Sequence, residues 1–527
     1  MKCTWTGPLR VGLMGDEVRT HPQMSRPTEL TASIPRILSS RPGSLVLSLA
    51  GRLFHVGPLR RGLVRLADRR LQADLSTEPR LEDLGAERKL MALAALHTVD
   101  RLVQKGFLSP HFTSTMFRLW GRMLSGYVPW GLSSPAMERF RREHGREPPY
   151  ALALSPTQAC NLHCQGCYAD SGPDSGGHRA AHLDWPVLHE TISQARKLWD
   201  ARLFVISGGE PLLYRSQGKD ILDAVEQQPD CLFLMFTNGT QIDHHVARRM
   251  GLLRNLTPAI SVEGLREQTD ARRGAGAFDR ALEAISLLRD EGVPFGISVT
   301  VTSDNQDEVL SDKFIDLFFG QLGAAYGFLF QYMPIGRWQD MGGESMPTPQ
   351  QRLALWRRQW DLIATRRIVL FEFWNSGTLV DGCLAAGRDR GYLYVDWNGR
   401  VMPCVFVPYA VADLNQVFAR GGTLDEVYRA SFLQAIRSWQ QEYGFGSETL
   451  SVDANWLRPC PIRDHHERFR QWIADHAPEP ENQAAQAVLD DPAYYERLLA
   501  YDRDLEQTMR QVWAEEYVRN RPQGADE

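Results

Sequence analysis

The stretch YALALSPTQACNLHCQGCY, residues 150–168, decides how this chain is read. It follows Pro148-Pro149, and its first part, residues 150–155, is a short apolar run of the length expected for a strand buried on both faces. Three cysteines then arrive within eight residues, Cys160, Cys164 and Cys167, directly after that strand. Three thiolates can ligate three irons of a cubane and leave the fourth iron open to a chelating small molecule. A structural zinc site takes four ligands, usually with CxxC pairs, so the missing fourth cysteine favours a cluster over zinc or a chance grouping.

Outward from this stretch, apolar runs alternate with amphipathic helical segments, the pattern of repeated βα units around a parallel sheet. Strands are expected at 150–155, 203–207, 231–236, 258–262, 295–302 and 327–333. Helices are expected between them, as at 278–290, where Phe278, Leu282, Ile285 and Leu288 recur on one face. Six such units predict an α/β fold, a partial (β/α)6 barrel with its reactive residues at the C-terminal ends of the strands. Those ends carry polar and glycine-rich segments. Ser207-Gly208-Gly209-Glu210-Pro211 combines exposed backbone with a carboxylate able to accept hydrogen bonds from an ammonium. Thr237-Asn238-Gly239 reads alone as a turn, and Ser261-Val262-Glu263-Gly264 offers a hydroxyl and a carboxylate. Asp270-Ala271-Arg272-Arg273 offers guanidinium groups suited to pairing with a carboxylate. Gln331-Tyr332-Met333-Pro334-Ile335-Gly336-Arg337 closes the sixth unit; read alone it is a strand-to-loop exit.

As a set, in this order, residues 150–340 resemble the radical S-adenosylmethionine (SAM) superfamily. The resemblance implies a [4Fe-4S] cluster on Cys160, Cys164 and Cys167, with SAM bound to its unique iron. It implies that Gly208, Gly209 and Glu210 hold the SAM amino group, that Ser261 and Glu263 contact its ribose or methionine part, and that Arg273 faces its carboxylate. The segment 331–337 would approach the adenine. One departure is Gly166, where many members carry an aromatic residue; Tyr168 follows the last cysteine instead. The CxGC form also occurs in the family member that makes adenosylhopane, a membrane lipid.

A second constellation, Cys383, then Gly399-Arg400-Val401-Met402-Pro403-Cys404, then Cys460, resembles the opening of a SPASM or twitch domain. It implies a second [4Fe-4S] cluster on three cysteines, open to substrate or completed by Asp464, His465 or His466. Each of those three, read alone, is an ordinary solvated polar residue, and a domain without a cluster is the alternative. The further cysteines of a full SPASM domain are absent after Cys404 apart from Cys460. Cys231 opens an apolar strand and reads as core, while Cys3 has no evident partner.

The expected division is a variable, basic N-terminal region at 1–85, a helical region at 86–149, the radical SAM core at 150–345, a helical connection at 346–375, the auxiliary unit at 376–470 and a helical tail at 471–527. Within the first region, 1 to about 42 lacks a sustained period and is expected to be flexible, and Met24 is an alternative start. From 45 to 71, Leu45, Leu49, Leu53, Val56, Leu63 and Leu66 interleave with Arg52, Arg60, Arg61, Arg65, Arg69 and Arg70, broken at Gly57-Pro58. That is a basic amphipathic helix, suited either to an anionic membrane surface or to docking on its own protein. The auxiliary unit contains YLYVDWNGRVMPCVFV, a hairpin with its turn at Asn398-Gly399. The tail offers Tyr494, Leu498, Leu499, Leu505 and Trp513 as packing anchors.

At 527 residues the chain exceeds one growing core, and a net charge of −5 argues against nucleic acid as substrate. No apolar run reaches the roughly 20 residues of a membrane span and no secretory signal is evident, so a cytoplasmic protein with peripheral membrane contact is expected. The expected activity is reductive cleavage of SAM followed by hydrogen-atom abstraction from substrate, with the electron supplied by a low-potential donor such as flavodoxin or ferredoxin. No protein acid or base is assigned. The leading substrate expectation is a lipid or isoprenoid, followed by peptide or protein modification and then by cofactor biosynthesis. An iron-sulfur sensor or electron carrier, or a zinc protein, is the competing class; it would not need the segments at 207–211, 261–264 and 270–273.

Overall fold

A computed structural model describes residues 41–76, 84–127, 134–173, 180–337, 345–447 and 449–518. The expectations for residues 1–40, including Cys3 and the alternative start, lie outside these.

Five helices precede the sheet: α1 (Arg41–Leu53), α2 (Gly57–Ser76), α3 (Leu84–Gln104), α4 (Pro110–Tyr127) and α5 (Pro135–His144). The break between α1 and α2 falls where Gly57-Pro58 predicts it, because proline supplies no amide hydrogen and suits only a first helical turn. Helix α5 starts with Ser134 accepting from the Met137 amide, has Pro135 in its first turn and stops at left-handed Gly145.

The strands are β1 (Ala151–Leu154), β2 (Leu203–Ile206), β3 (Leu232–Thr237), β4 (Leu256–Ser261), β5 (Gly296–Val301), β6 (Tyr326–Gln331), β7 (Leu370–Glu372), β8 (Tyr392–Val395), β9 (Arg400–Met402), β10 (Tyr409–Ala410), β11 (Ala412–Asp413) and β12 (Glu479–Pro480). The first six lie within a residue or two of their expected places. One ten-stranded sheet runs β11-β9-β8-β1-β2-β3-β4-β5-β6-β7 and is parallel from β8 through β7. The sheet is open, with β11 and β7 as its edges. The sequence does not announce how the 392–402 hairpin is used: β8 pairs in parallel with β1, Ala151 opposite Tyr392, so the hairpin extends the same sheet.

Side chains alternate in role along each strand. Phe204, Phe233, Met235, Ile260, Ile297, Val299 and Leu329 join the large core packed under the helices. Their neighbours Val205, Phe236, Ser261, Ser298, Thr300, Phe328 and Phe330 face the opposite side and are only partly buried. That side is the lumen of the partial barrel. The helix Pro349–Arg366 lies where the sequence places it, capped by Thr348 and Gln351 in a reciprocal box. In the tail, Tyr494, Leu498, Leu505 and Trp513 are buried and Leu499 is half-buried.

Candidate active site

The loop bearing Cys160, Cys164 and Cys167 leaves the C-terminal end of β1 and is braced by the ends of the next strands. Immediately before Cys160 the backbone is zipped to the glycine segment after β2: the Gly209 amide donates to the Thr157 carbonyl at 2.9 Å and the Glu210 amide to the Ala159 carbonyl at 2.7 Å. This approach requires glycine. A Cβ on Gly209 would lie 2.5 Å from the Gln158 carbonyl oxygen and closer still to that of Ala159, and one on Gly208 would lie 2.6 Å from the Thr157 carbonyl oxygen. On the other flank, Arg337 spans the loop, donating to the carbonyls of Cys164 at 2.8 Å and Ser171 at 2.6 Å and pairing with Asp170. The neighbouring Gly336 leaves room for the Cys167 and Tyr168 carbonyls. The sequence suggested an adenine contact for the 331–337 segment; the structure makes its arginine a clamp on the cysteine loop.

Glu210 is fully buried. Its carboxylate accepts from the Thr237 hydroxyl at 2.7 Å and from the amides of Asn238 at 2.8 Å and Leu212 at 3.2 Å. These bonds tie the end of β2 to the turn after β3 and use three of about four lone-pair positions on the carboxylate. Burial raises its pKa, against the pull of these donors and of Arg273. Asn238 in turn points its side-chain amide at the Cys160 sulfur, 3.8 Å away, and at Asn161. The Thr237-Asn238-Gly239 turn thus reaches the cysteine loop, a contact that its turn-like sequence gave no reason to expect.

Glu263 is buried and receives both arginines: Arg272 pairs with Oε1, Arg273 donates Nε to the same oxygen at 2.7 Å, and the Thr300 amide donates to Oε2 at 3.0 Å. Arg273 stays charged despite its burial, because Glu263 and then the nearby Cys164 and Cys160 raise its pKa. Ser261 sits half-buried at the end of β4 opposite Ser298. Arg272 is also bonded to the carbonyls of Gln165 and Gly166, so it bridges Glu263 and the cysteine loop. The structure therefore gathers Cys160, Cys164, Cys167, Gly208, Gly209, Glu210, Glu263 and Arg273 about one end of the sheet.

Burial pushes the Cys160 thiol up to about 12, and the charges of Glu210, Cys164 and Cys167 push the same way, so Cys160 needs a cation beside it before it becomes a thiolate. The Leu162 amide lies 3.5 Å from the Cys160 sulfur, and the Asn238 side chain also points at it, as donors to a ligating thiolate do. Tetrahedral zinc holds sulfur at about 2.3 Å, which keeps sulfurs within about 4 Å of one another. Among the described residues, neither cysteine trio has its three sulfurs all within 4.8 Å of each other. The wider spacing suits a multi-iron cluster better than a single zinc ion.

Cys383, Cys404 and Cys460 also come together, each within the electrostatic reach of the others. Burial pushes Cys404 and Cys460 up to about 12 and raises Cys383. Backbone amides of Ala385 and Phe406 point at the sulfurs of Cys383 and Cys404 at 3.4 and 3.5 Å. The Tyr392 hydroxyl lies 2.9 Å from the Cys404 sulfur. Of the three residues suggested for completing this set, Asp464 is fully buried between Arg352 and Arg463. The ring nitrogens of His465 and His466 bond the carbonyls of Arg458 and Ile462 at 2.9 and 2.7 Å. Each has partners of its own, with Asp464 also accepting from the Cys460 amide at 3.2 Å. The polar side chains that reach the trio's sulfurs are Tyr392 at Cys404, Gln440 at Cys383 and Trp374 at Cys460. Cys231 is fully buried in the core at the start of β3, as expected.

Aromatic rings line the lumen along β6 and β7. Phe328 stacks on Phe371 at 5.1 Å and meets Phe236 at 5.6 Å, and Phe330 meets Phe373 at 5.5 Å. Phe406, two residues past Cys404, touches Phe330, Phe373 and Trp374, and lies 6.0 Å from Tyr168, the residue after Cys167. The Tyr168 hydroxyl is anchored on Ser207 at 2.7 Å. An aromatic surface therefore runs from one cysteine loop to the other, bordered on the neighbouring strands by Ser298 and Thr300, which pair with Phe328 and Phe330, and by Ser261 beyond them.

A family profile described as the radical SAM superfamily matches residues 154–312. The mycofactocin maturase MftC of Mycobacterium ulcerans is 30% identical over 324 residues, covering 58% of this chain and 81% of the relative. An AdoMet-dependent heme synthase of Nitratidesulfovibrio vulgaris is 30% identical over 324 residues, covering 55% of this chain and 82% of the relative. Among solved structures, Streptococcus suis SuiB bound to precursor peptide SuiA is 16% identical with a TM-score of 0.45, covering 66% of this chain and 84% of that one. The AdoMet-bound anSMEcpe is 16% identical with a TM-score of 0.45, covering 68% and 99%.

Proposed function

This chain belongs to the radical SAM superfamily, and from that premise we propose that it is an enzyme that modifies a peptide or protein substrate by hydrogen-atom abstraction. When bound, the [4Fe-4S] cluster and SAM supply the 5′-deoxyadenosyl radical, after one electron from a low-potential donor of the flavodoxin or ferredoxin kind. Cys160, Cys164 and Cys167 hold the cluster. Gly208 and Gly209 let the strand end press against that loop. Glu263 orients Arg273 so that its positive charge faces the cysteines, where it would meet the carboxylate of SAM. Ser261 lies at the same end as a hydroxyl partner. Cys383, Cys404 and Cys460 hold a second cluster, with Tyr392 as a hydrogen-bond partner of its sulfur.

One observation carries the reading: the aromatic surface joins the two cysteine loops through the Tyr168–Phe406 contact. A group bound against it is within reach of both. The similarity to a maturase over most of its length supports peptide or protein modification, and the lipid or isoprenoid substrate that led the sequence expectations has no counterpart among these relatives. The equal similarity to a heme synthase favours a second reading, a tetrapyrrole substrate. Against it, the lumen-facing positions Val205, Phe236, Ser261, Ser298, Thr300, Phe328, Phe330 and Phe371 include no cation to meet tetrapyrrole carboxylates. The sensor reading fits neither the family nor the presence of the SAM-side segments.

The test is reductant-dependent 5′-deoxyadenosine formation by anaerobically reconstituted protein, in the presence of a synthetic peptide mixture or of iron coproporphyrin. Stimulation by peptides with a matching mass change, abolished in a Cys160→Ala/Cys164→Ala/Cys167→Ala variant, supports the proposal. Stimulation by the porphyrin alone replaces it with the second reading.

A further inference from the structure

Helices α1 and α2 dock on the protein through one face and leave a second apolar face outward. The docked face is Phe54 and Val64, packed with Leu102, Val103 and Phe112, together with Arg60, which is buried against Asp100 at 2.8 Å. His97 of α3 adds a bond to Asp68 at 3.0 Å. Of the apolar stripe seen in the sequence, Leu49, Leu53, Val56, Leu63 and Leu66 take no part in this packing and, with Leu59 beside them, are 40–67% exposed, while the side chain of Leu45 lies outside those described. Among the described residues only eight large hydrophobic side chains are exposed, and these six lie together in the stretch 49–66 that spans α1, α2 and the turn between them. Docking on the protein's own surface therefore does not account for the stripe. Patches of this kind on soluble proteins mark interaction sites.

The charge beside the stripe identifies the partner. Leu59, Leu63 and Leu66 recur at the spacing of one helix face, and Arg61, Arg65 and Arg69 recur every fourth residue on the adjoining exposed face. Arg52 and Arg70 are exposed as well. A second copy of this chain brought face to face would oppose arginine rows of like charge. A bilayer with anionic headgroups offers apolar depth for the leucines and negative charge for the arginines beside them. We propose that α1 and α2 hold this enzyme against an anionic membrane surface, lying in its plane. No helix among the described residues is long and apolar enough to cross a membrane, which agrees with a surface mode. The proposal is independent of the substrate reading, because it concerns a surface that contributes no residue to either cysteine trio.

The test is partition of the full-length protein onto sedimenting vesicles of phosphatidylcholine alone or mixed with phosphatidylglycerol, beside light scattering of the free protein. Expected is binding to the mixed vesicles that weakens as salt is raised, with at least a tenfold loss in Leu63→Ser/Leu66→Ser and in Arg61→Gln/Arg65→Gln/Arg69→Gln. These positions are exposed, so melting temperature and 5′-deoxyadenosine formation in solution should be unchanged, and both serve as folding controls. Equal recovery of wild type and variants with either vesicle overturns the proposal. So does a wild-type dimer that the leucine variant converts to monomer without any vesicle binding, which would make the stripe a contact between copies.

Discussion

The tightest steric demand at the candidate active site is at Gly209, and its substitution by alanine measures whether close backbone approach is what positions the first cysteine. The added Cβ would sit 2.5 Å from the Gln158 carbonyl oxygen and nearer to that of Ala159, both backbone atoms that cannot rotate away. The two segments must part. Overpacking of this kind costs about 1–3 kcal/mol. Parting also strains the Gly209–Thr157 and Glu210–Ala159 hydrogen bonds, each contributing about 1 kcal/mol net. A total of roughly 3–5 kcal/mol corresponds to about a hundredfold to several-thousandfold lower population of the braced loop. The assay is the SAM-induced change in the EPR spectrum of the reduced, reconstituted protein, which reports only on a cluster with an open iron. Gly209→Ala should lose most of that change and melt several degrees lower. Gly62→Ala, in a helix where a Cβ meets nothing within 4 Å, should melt at or slightly above wild type. If Gly209→Ala keeps both its melting temperature and its SAM response, the glycine is not there for the approach to residues 157–159, and the account of the brace is wrong.

Three further outcomes follow from the buried groups behind the second cysteine trio. Asp464→Asn should destabilise the protein by about 3–5 kcal/mol, because Arg352 and Arg463 lose their anion in a fully buried setting. Burial raises the Asp464 pKa, but the two arginines outweigh it and hold it well below the usual carboxylate range. Its contribution is therefore present above about pH 4 and lost as pH falls further, which denaturant titrations at pH 5 and below will show. Glu372 goes the other way: burial pushes it up to about 7 despite Arg352, so the folded state binds its proton more tightly than the unfolded chain does. Stability from this group is full below about pH 4 and declines as pH rises through 7, and Glu372→Gln should flatten that decline in melts at pH 5 and pH 8. Tyr392→Phe should leave iron content unchanged and lower the reduction potential of a cluster held by Cys404, since a hydrogen bond to its sulfur is removed; an unchanged potential would place the hydroxyl outside the cluster's shell.

The six parallel strands and the helix at 349–366 were legible because each combines a periodic pattern with punctuation: apolar runs ending in glycine-rich segments, or Thr348 and Gln351 framing a first turn. What escaped was pairing that adds no residue pattern of its own. β7 is three residues long, and β8 reads as half of a hairpin whether or not its free edge meets β1. At the site, residue types were legible and assignments less so. The sequence marks Glu210, Glu263 and Arg273 as polar groups at strand ends, but not that the two carboxylates spend their lone pairs on Thr237, Asn238, Thr300 and the arginines. It could not tell Tyr392 from any strand tyrosine, because the Cys404 sulfur that meets it comes from the returning arm of the hairpin.

The unexpected pairing bears on how two cysteine sets could serve one reaction. Had residues 376–470 been joined to the core only through the connection after β6, their distance from Cys160 would depend on a flexible contact. Instead β8 runs in register with β1, Ala151 opposite Tyr392 through Leu154 opposite Val395, and the Cys160 loop leaves the far end of that same strand. Tyr392 marks the near end and touches Cys404. Four residues of strand at about 3.3 Å each separate the two ends, so the trios are spaced by a backbone ladder on the order of 10 Å, plus the reach of the loops. The aromatic surface from Tyr168 through Phe406 fills that interval. A substrate radical formed near the first trio would then face the second at a distance set by hydrogen-bonded strands, with no domain closure required to bring the two together.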